Sequence, residues 1–257
     1  MTFSLPTALE MARWCDYAYG CMPLPLGFPE AQVVSIDNPQ TDIHAKLIIL
    51  PDRNVLAFRG THSLKNWMED ADCIQVEWGA PGMRVHTGFL HAFLSIIGKV
   101  EDAISSAPVN PLWITGHSLG AAMAEICAFS VVWNFGSRYL GDIVGVYPIA
   151  CPRSFNLTGA TQFDKALGDR TFRVTHALDP VPHIPLVAPG FPPRFYWKTR
   201  PHVWVDDNGF MDVGRPFLQT LPHALKCGIQ EYLRGEMVSI PDHRIGDYIE
   251  ALERVKP

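Results

Sequence analysis

No stretch of the 257 residues approaches the roughly 18 consecutive apolar residues of a membrane span, so no spanning helix is expected. Positive charge is also scarce: 21 Lys and Arg stand against 26 Asp and Glu, a formal net charge of −5, with no basic cluster. Nucleic acid is therefore not expected as the main partner, and adsorption to anionic lipid is disfavoured. The six cysteines, at positions 15, 21, 73, 127, 151 and 227, lack the paired spacing of a zinc site or a C-x-x-C redox motif. No disulfide framework is required at this length, and Cys127, inside an alanine-rich run, reads as a small core residue. The opening "MTFSLPTALEMARWCDYAYG" lacks the positive start and apolar stretch of a secretory signal, which leaves a cytoplasmic protein or the mature form of a secreted one as the expectation. There is no internal repeat and no low-complexity tail.

What the chain does have is apolar mass. At 47% hydrophobic it can bury a large core, and 257 residues suit one α/β domain spanning 1–257. Residues 1–20 fit an amphipathic helix, ended by the proline-rich "CMPLPLGFPE". "AKLIIL" and "VLAFRG" flank "PDRN", a β-hairpin pattern, because proline and aspartate begin turns readily. "HTGFLHAFLSIIGKVEDAISS" carries Phe89, Phe93, Ile97, Val100 and Ile104 at helical spacing. "PLWIT" reads as a buried strand and "LGAAMAEICAFSVVW" as a helix; strands follow at "DIVGVYPI" and "TFRVTHA". Pro180 to Pro193 should form a stiff extended loop, "RFYWKTRPHVWVDD" a late strand and "DHRIGDYIEALERV" a terminal helix. Alternation of this kind predicts an α/β fold with a mostly parallel central sheet flanked by helices.

Ser118 falls where the "PLWIT" strand turns into that helix, within G-H-S-L-G. A strand-to-helix turn is sharp and crowded, so Gly116 and Gly120 suit positions that reject a Cβ, and Ala121, Ala122 and Ala124 let the helix lie close. The helix start adds N–H groups and a positive dipole end suited to an oxygen acquiring charge. These are the requirements of a nucleophile elbow.

A serine hydroxyl needs a base to take its proton and a carboxylate to orient that base. Asp179 closes "TFRVTHALDP" directly after a predicted strand, whereas its rivals Asp164 and Asp169 precede that strand. Among the histidines that follow, His183 lies too near the acid on the stiff loop, His202 falls in the late strand and His223 opens "HALKCGIQEYL". His243, on a loop entering the last helix, is the preferred base. His86, His91 and His117 read as structural. For the oxyanion hole, the Leu119 N–H is one candidate donor and Thr61, after Gly60 in "LAFRGTHS", the second.

The blocks "FRGTHSLKNWMEDAD", "VHTGFLHAF", "ITGHSLGAAMA", "YPIACPRSFN", "ALDPVPHIP" and "DHRIGDYI" together resemble the class three, fungal-type lipase family over roughly residues 45–250. The resemblance implies an α/β-hydrolase fold, a triad of Ser118, Asp179 and His243, and an oxyanion hole of Thr61 with Leu119. Cys151 departs from it, standing where the family usually has glycine before Pro-Arg. In "SLKNWMEDA", Leu64, Trp67, Met68 and Ala71 form one helical stripe that resembles the family's lid. Glu69, Asp70 and Asp72 crowd its C-terminal end, where the helix dipole disfavours anions, so the helix is expected to be marginal and to open at a lipid–water interface. The expected activity is carboxylic-ester hydrolysis, foremost of triacylglycerols, with no metal or organic cofactor. A phospholipase A1, a feruloyl-type esterase, an acyltransferase and a non-catalytic binding module on the same scaffold are the alternatives.

Overall fold

A computed structural model describes residues 1–20, 23–25, 27–61, 74–134, 143–177, 179–185, 187–188, 193–214 and 243–256. Helix α1 (Leu5–Ala18) opens the chain, with Ser4 Oγ accepting from the Thr7 N–H as its cap. Strands β1 (Gln32–Asn38), β2 (Ile43–Ile49) and β3 (Asn54–Phe58) follow, all antiparallel neighbours. The predicted hairpin around "PDRN" is β2–β3. The sequence reading contains no strand at β1, because only Ile36 of its seven residues is buried, leaving no alternation to detect.

The small hairpin β4 (Gln75–Glu77) and β5 (Arg84–His86) leads into α2 (Thr87–Leu94) and α3 (Ile97–Ser106). A single helix was expected across this stretch. The break lies at Ser95, whose hydroxyl donates back to the Ala92 carbonyl and whose own carbonyl accepts from the Asn38 side-chain amide. Those bonds compete with continuation of the helical ladder. Of the expected stripe, Phe89, Phe93 and Val100 are buried and Ile97 and Ile104 partly so, while Ile96, at the break, is buried as well.

Then come β6 (Leu112–His117), α4 (Leu119–Asn134), β7 (Ile143–Ile149), α5 (Leu157–Leu167) and β8 (Arg173–His176). The proline-rich segment is not uniformly extended. It holds a 3-10 turn at Val181–His183 and a two-residue strand β9 (Val187–Ala188) paired with β10 (Arg194–Phe195). The predicted late strand is accordingly split: β11 (His202–Val205) begins only after Pro201, which has no N–H to offer a ladder. Strand β12 (Met211–Val213) and helix α6 (Ile245–Arg254) complete the described elements.

The main sheet runs β1-β2-β3-β6-β7-β8-β11-β12, parallel from β3 through β11 and antiparallel at both edges. The α/β class and the mostly parallel sheet are as expected. Period-two alternation sends Leu56, Phe58 and Ile114 to one face, packed with α2–α5, and Val55, Ala57 and Val174 to the other, packed with α1 and α6. Helix α4 lies under the sheet centre and is buried all round from Leu119 to Val131, which is why its sequence shows no polar face.

Candidate active site

The end of β6 and the start of α4 meet at Ser118, whose backbone takes φ 58°, left-handed for a residue with a Cβ. Its N–H is anchored to the Ile149 carbonyl at 3.0 Å, and its own carbonyl accepts from Ala121 N–H at 2.9 Å. The flanking glycines are needed for contact reasons. A Cβ at Gly116 would strike the Gly120 carbonyl, and one at Gly120 would strike the backbone of Phe58 and Arg59. The end of β3 therefore runs against the elbow, and Gly60 packs against the His117 carbonyl just before Ser118. Leu119 opens that helix, 4% exposed.

His243 reaches the elbow from the segment just before α6. Its Nε2 lies 3.0 Å from Ser118 Oγ and its Nδ1 lies 2.8 Å from Asp179 Oδ2. A carboxylate only accepts, so Nδ1 carries a proton, and in the neutral ring Nε2 is the acceptor for the serine hydroxyl. Asp179 follows β8 and is fully buried, and three donors hold it: Val181 N–H at 2.9 Å on Oδ1, and His243 with the Tyr248 hydroxyl, at 2.7 Å, on Oδ2. Sequence reasoning did not identify Tyr248. Its position five residues after His243 in the terminal helix was the available signal, but its partner lies 69 residues away in the chain.

The other candidates sit elsewhere. Asp164 lies in α5, where it accepts from Arg200 N–H at 2.8 Å and where burial pushes its carboxyl up to about 6. Asp169 is bound to Arg170 at the surface. His86 caps α2 by accepting from Gly88 N–H, and its ring stacks on Phe89 at 4.2 Å. His183 sits 3.3 Å from Lys198 Nζ, and His202 is in β11. His117 bonds to the His243 carbonyl at 2.8 Å, so a histidine read as structural touches the site. Leu64, Trp67 and Met68 of the lid stripe, and His223, lie outside the described residues. Cys151 is buried, and the left-handed residue of its turn is Ala150, with φ 53°, so no glycine is needed at 151 for backbone reasons. Among the described residues no cluster of His, Cys, Asp and Glu has a metal-binding arrangement, and no helix is long and apolar enough to cross a membrane.

Residues 55–188, just over half of the chain, match the family model described as Lipase (class 3). The chain belongs to the class 3 lipase family. The secreted mono- and diacylglycerol lipase A of Penicillium cyclopium is 35% identical over 156 residues, covering 58% of this chain and 48% of that protein. A lipase of Rhizomucor miehei is 29% identical over 170 residues, 60% of this chain and 42% of that protein. This class 3 lipase chain thus spans about half the length of the curated relatives it matches. The Rhizomucor miehei triacylglyceride lipase structure superposes with a TM-score of 0.67 at 19% identity, covering 87% of this chain and 94% of that one. A mutant form of MDLA from Penicillium cyclopium gives 0.60 at 26% identity, covering 78% and 77%. With the sheet order above, these likenesses make the fold that of an α/β-hydrolase.

Proposed function

We propose that this class 3 lipase chain hydrolyses carboxylic esters, acylglycerols foremost, through an acyl-enzyme formed on Ser118. The observation that carries the reading is the unbroken hydrogen-bond chain from Asp179 through His243 to Ser118, buried at every member. In this reading Ser118 Oγ attacks the ester carbonyl carbon while His243 Nε2 takes its proton, and Asp179 stabilises the imidazolium through Nδ1–H. The tetrahedral oxygen is received by the Leu119 N–H and by Thr61, the two candidate donors on either side of the close β3–α4 approach. His243 then protonates the departing alcohol, water attacks the acyl-enzyme with the same base, and Ser118 is released. Side chains, the Leu119 backbone N–H and water supply all of this chemistry.

Replacing Ser118 with alanine should lower kcat on p-nitrophenyl butyrate by at least roughly ten-thousandfold with the fold intact. Wild-type protein should be labelled by a fluorophosphonate and the variant should not. Retention of most turnover would remove the serine from the reaction, and an unlabelled wild type would favour a non-catalytic module.

Ser118 is only 1% exposed. The stripe Leu64, Trp67 and Met68, read from the sequence as a lid, is the proposed cover, opening at a lipid surface. Tributyrin hydrolysis should rise steeply as the substrate passes its solubility limit; a smooth saturation curve through that limit would argue for an ordinary esterase. Rates across p-nitrophenyl esters from acetate to palmitate, beside emulsified triglyceride and phospholipid, separate a triacylglycerol lipase from a phospholipase A1 or a feruloyl-type esterase.

A further inference from the structure

Behind the serine, a second hydrogen-bonded histidine joins four parts of the site. His117 Nε2 lies 2.8 Å from the backbone carbonyl of His243, and Nδ1 lies 2.8 Å from the Tyr19 hydroxyl. A carbonyl can only accept, so Nε2 must carry the proton. Burial together with the neighbouring His243 pushes the His117 imidazole well below its ordinary range, so the ring is neutral and Nδ1 is an acceptor. The Tyr19 hydroxyl must then donate to Nδ1, and its oxygen takes a hydrogen bond from the Gly60 backbone. Gly60 is the residue before Thr61, and a Cβ there would occupy the space of the Tyr19 hydroxyl. Every polarity in the line Gly60, Tyr19, His117, His243 carbonyl is therefore determined. The rings are packed as well as bonded: His117 lies 4.9 Å from His243, 5.8 Å from Tyr19 and 6.0 Å from Tyr248, centroid to centroid.

We propose that Tyr19 and His117 form a positioning relay, in which the tyrosine hydroxyl fixes the His117 tautomer and His117 in turn holds the His243 backbone, aiming the imidazole at Ser118. The inference rests on the reading of Ser118, His243 and Asp179 as the triad. Neither relay residue is placed to touch substrate. Their effect passes through His243 and, by way of Gly60, through the turn bearing Thr61. A 1 Å error in aim at such a site is costly in rate while leaving the binding of an ester's acyl part unaffected. The relay also gives a physical reason for an N-terminal helix reaching the catalytic end of the sheet.

Tyr19→Phe keeps the ring and deletes the hydroxyl, removing both its bond to His117 and the one it accepts from Gly60. It should lower kcat on p-nitrophenyl butyrate about tenfold at unchanged KM, and slow fluorophosphonate labelling by the same factor, in protein whose melting temperature shows it folded at the assay temperature. His117→Gln, whose amide N–H can still reach the His243 carbonyl, should stay within about threefold of wild type, whereas His117→Leu should fall tenfold or more. Full kcat in folded Tyr19→Phe, or equal losses in the two His117 variants, would overturn the relay. If Tyr19→Phe is unstable, the comparison of glutamine with leucine at 117 decides by itself. Ser118→Ala tests the triad separately: an active Ser118→Ala variant defeats the triad reading, while an inactive one beside a fully active Tyr19→Phe variant defeats the relay alone.

Discussion

At the scale of single residues, the site depends on buried polar atoms having enough partners. Asp179 Oδ2 is shared by His243 and Tyr248, so Tyr248→Phe leaves the buried carboxylate with one donor fewer. A hydrogen bond to a charged group is worth about 1.5–3 kcal/mol, and part of that should appear as a kcat loss of roughly tenfold on p-nitrophenyl butyrate. Unaltered kinetics in the folded variant would mean that the hydroxyl serves packing only. Glu125 is a second case. Both it and Arg173 are fully buried, paired at 2.6 Å, and the carboxylate also accepts from Thr199 and Ser154. Arg173 in turn donates to the carbonyls of Cys151 and Pro152, tying the "ACPRSFN" turn to α4. Glu125→Gln strands the guanidinium and should cost about 3–5 kcal/mol, a fall in melting temperature of roughly 10 °C at this size. A shift under 2 °C, read by differential scanning calorimetry, would show that the arginine finds other compensation.

At the scale of elements, the decisive contact is the approach of β3 to the first turn of α4. The colliding atoms at Gly120 belong to the backbone of Phe58 and Arg59, which cannot rotate away as a side-chain tip can. Gly120→Ala should therefore destabilise the fold by about 1–3 kcal/mol and displace the Gly60–Thr61 turn, with kcat falling more than thermal stability alone explains. A soluble variant with wild-type melting temperature and rate would contradict this. Elements also set how far the sequence could be read. The β2–β3 hairpin, the strand into Ser118, the buried helix behind it and the terminal helix carry period, turn or composition signals of their own. Strand β1 does not, since it is an edge with one buried residue, and one of the two bonds at the break between α2 and α3 comes from an Asn38 amide more than fifty residues upstream. No window of sequence contains that partner.

For the whole molecule, the histidines kept neutral by burial predict acid sensitivity. Burial holds His86 down to about 4, His183 to about 2, with help from the Lys198 charge, and His117 well below 6.5. Below pH 6.5 the unfolded chain gains protons there that the native state refuses, so stability is complete above pH 6.5 and is lost as pH falls towards the folded values. At pH 5 His86 and His183 each cost about 2 kcal/mol, about 4 together, and His117 adds to them in the same direction. Asp164 acts oppositely, because its raised carboxyl makes the native state the better proton binder between about 4 and 6. Discounted for its partial exposure, it returns at most about 1 kcal/mol, so the histidines win. The melting temperature should fall by roughly 10 °C between pH 7.5 and pH 5; a flat or rising profile would contradict neutral burial.

What the sequence by itself determined was everything whose cause is local. The glycines around Ser118, the small residues behind it, the hairpin turn and the helical stripes all act over a few residues, through sterics and periodicity readable in a short window. Chain order and resemblance nominated Asp179 and His243, but only the tertiary structure brings them to the serine, since His243 lies 64 residues from Asp179 and 125 from Ser118 along the chain. It also decided the partners behind them, Tyr248 on Asp179 and Tyr19 on His117. Hydrogen bonds between groups so far apart in sequence exist only once the parallel sheet has brought its strand ends to one edge.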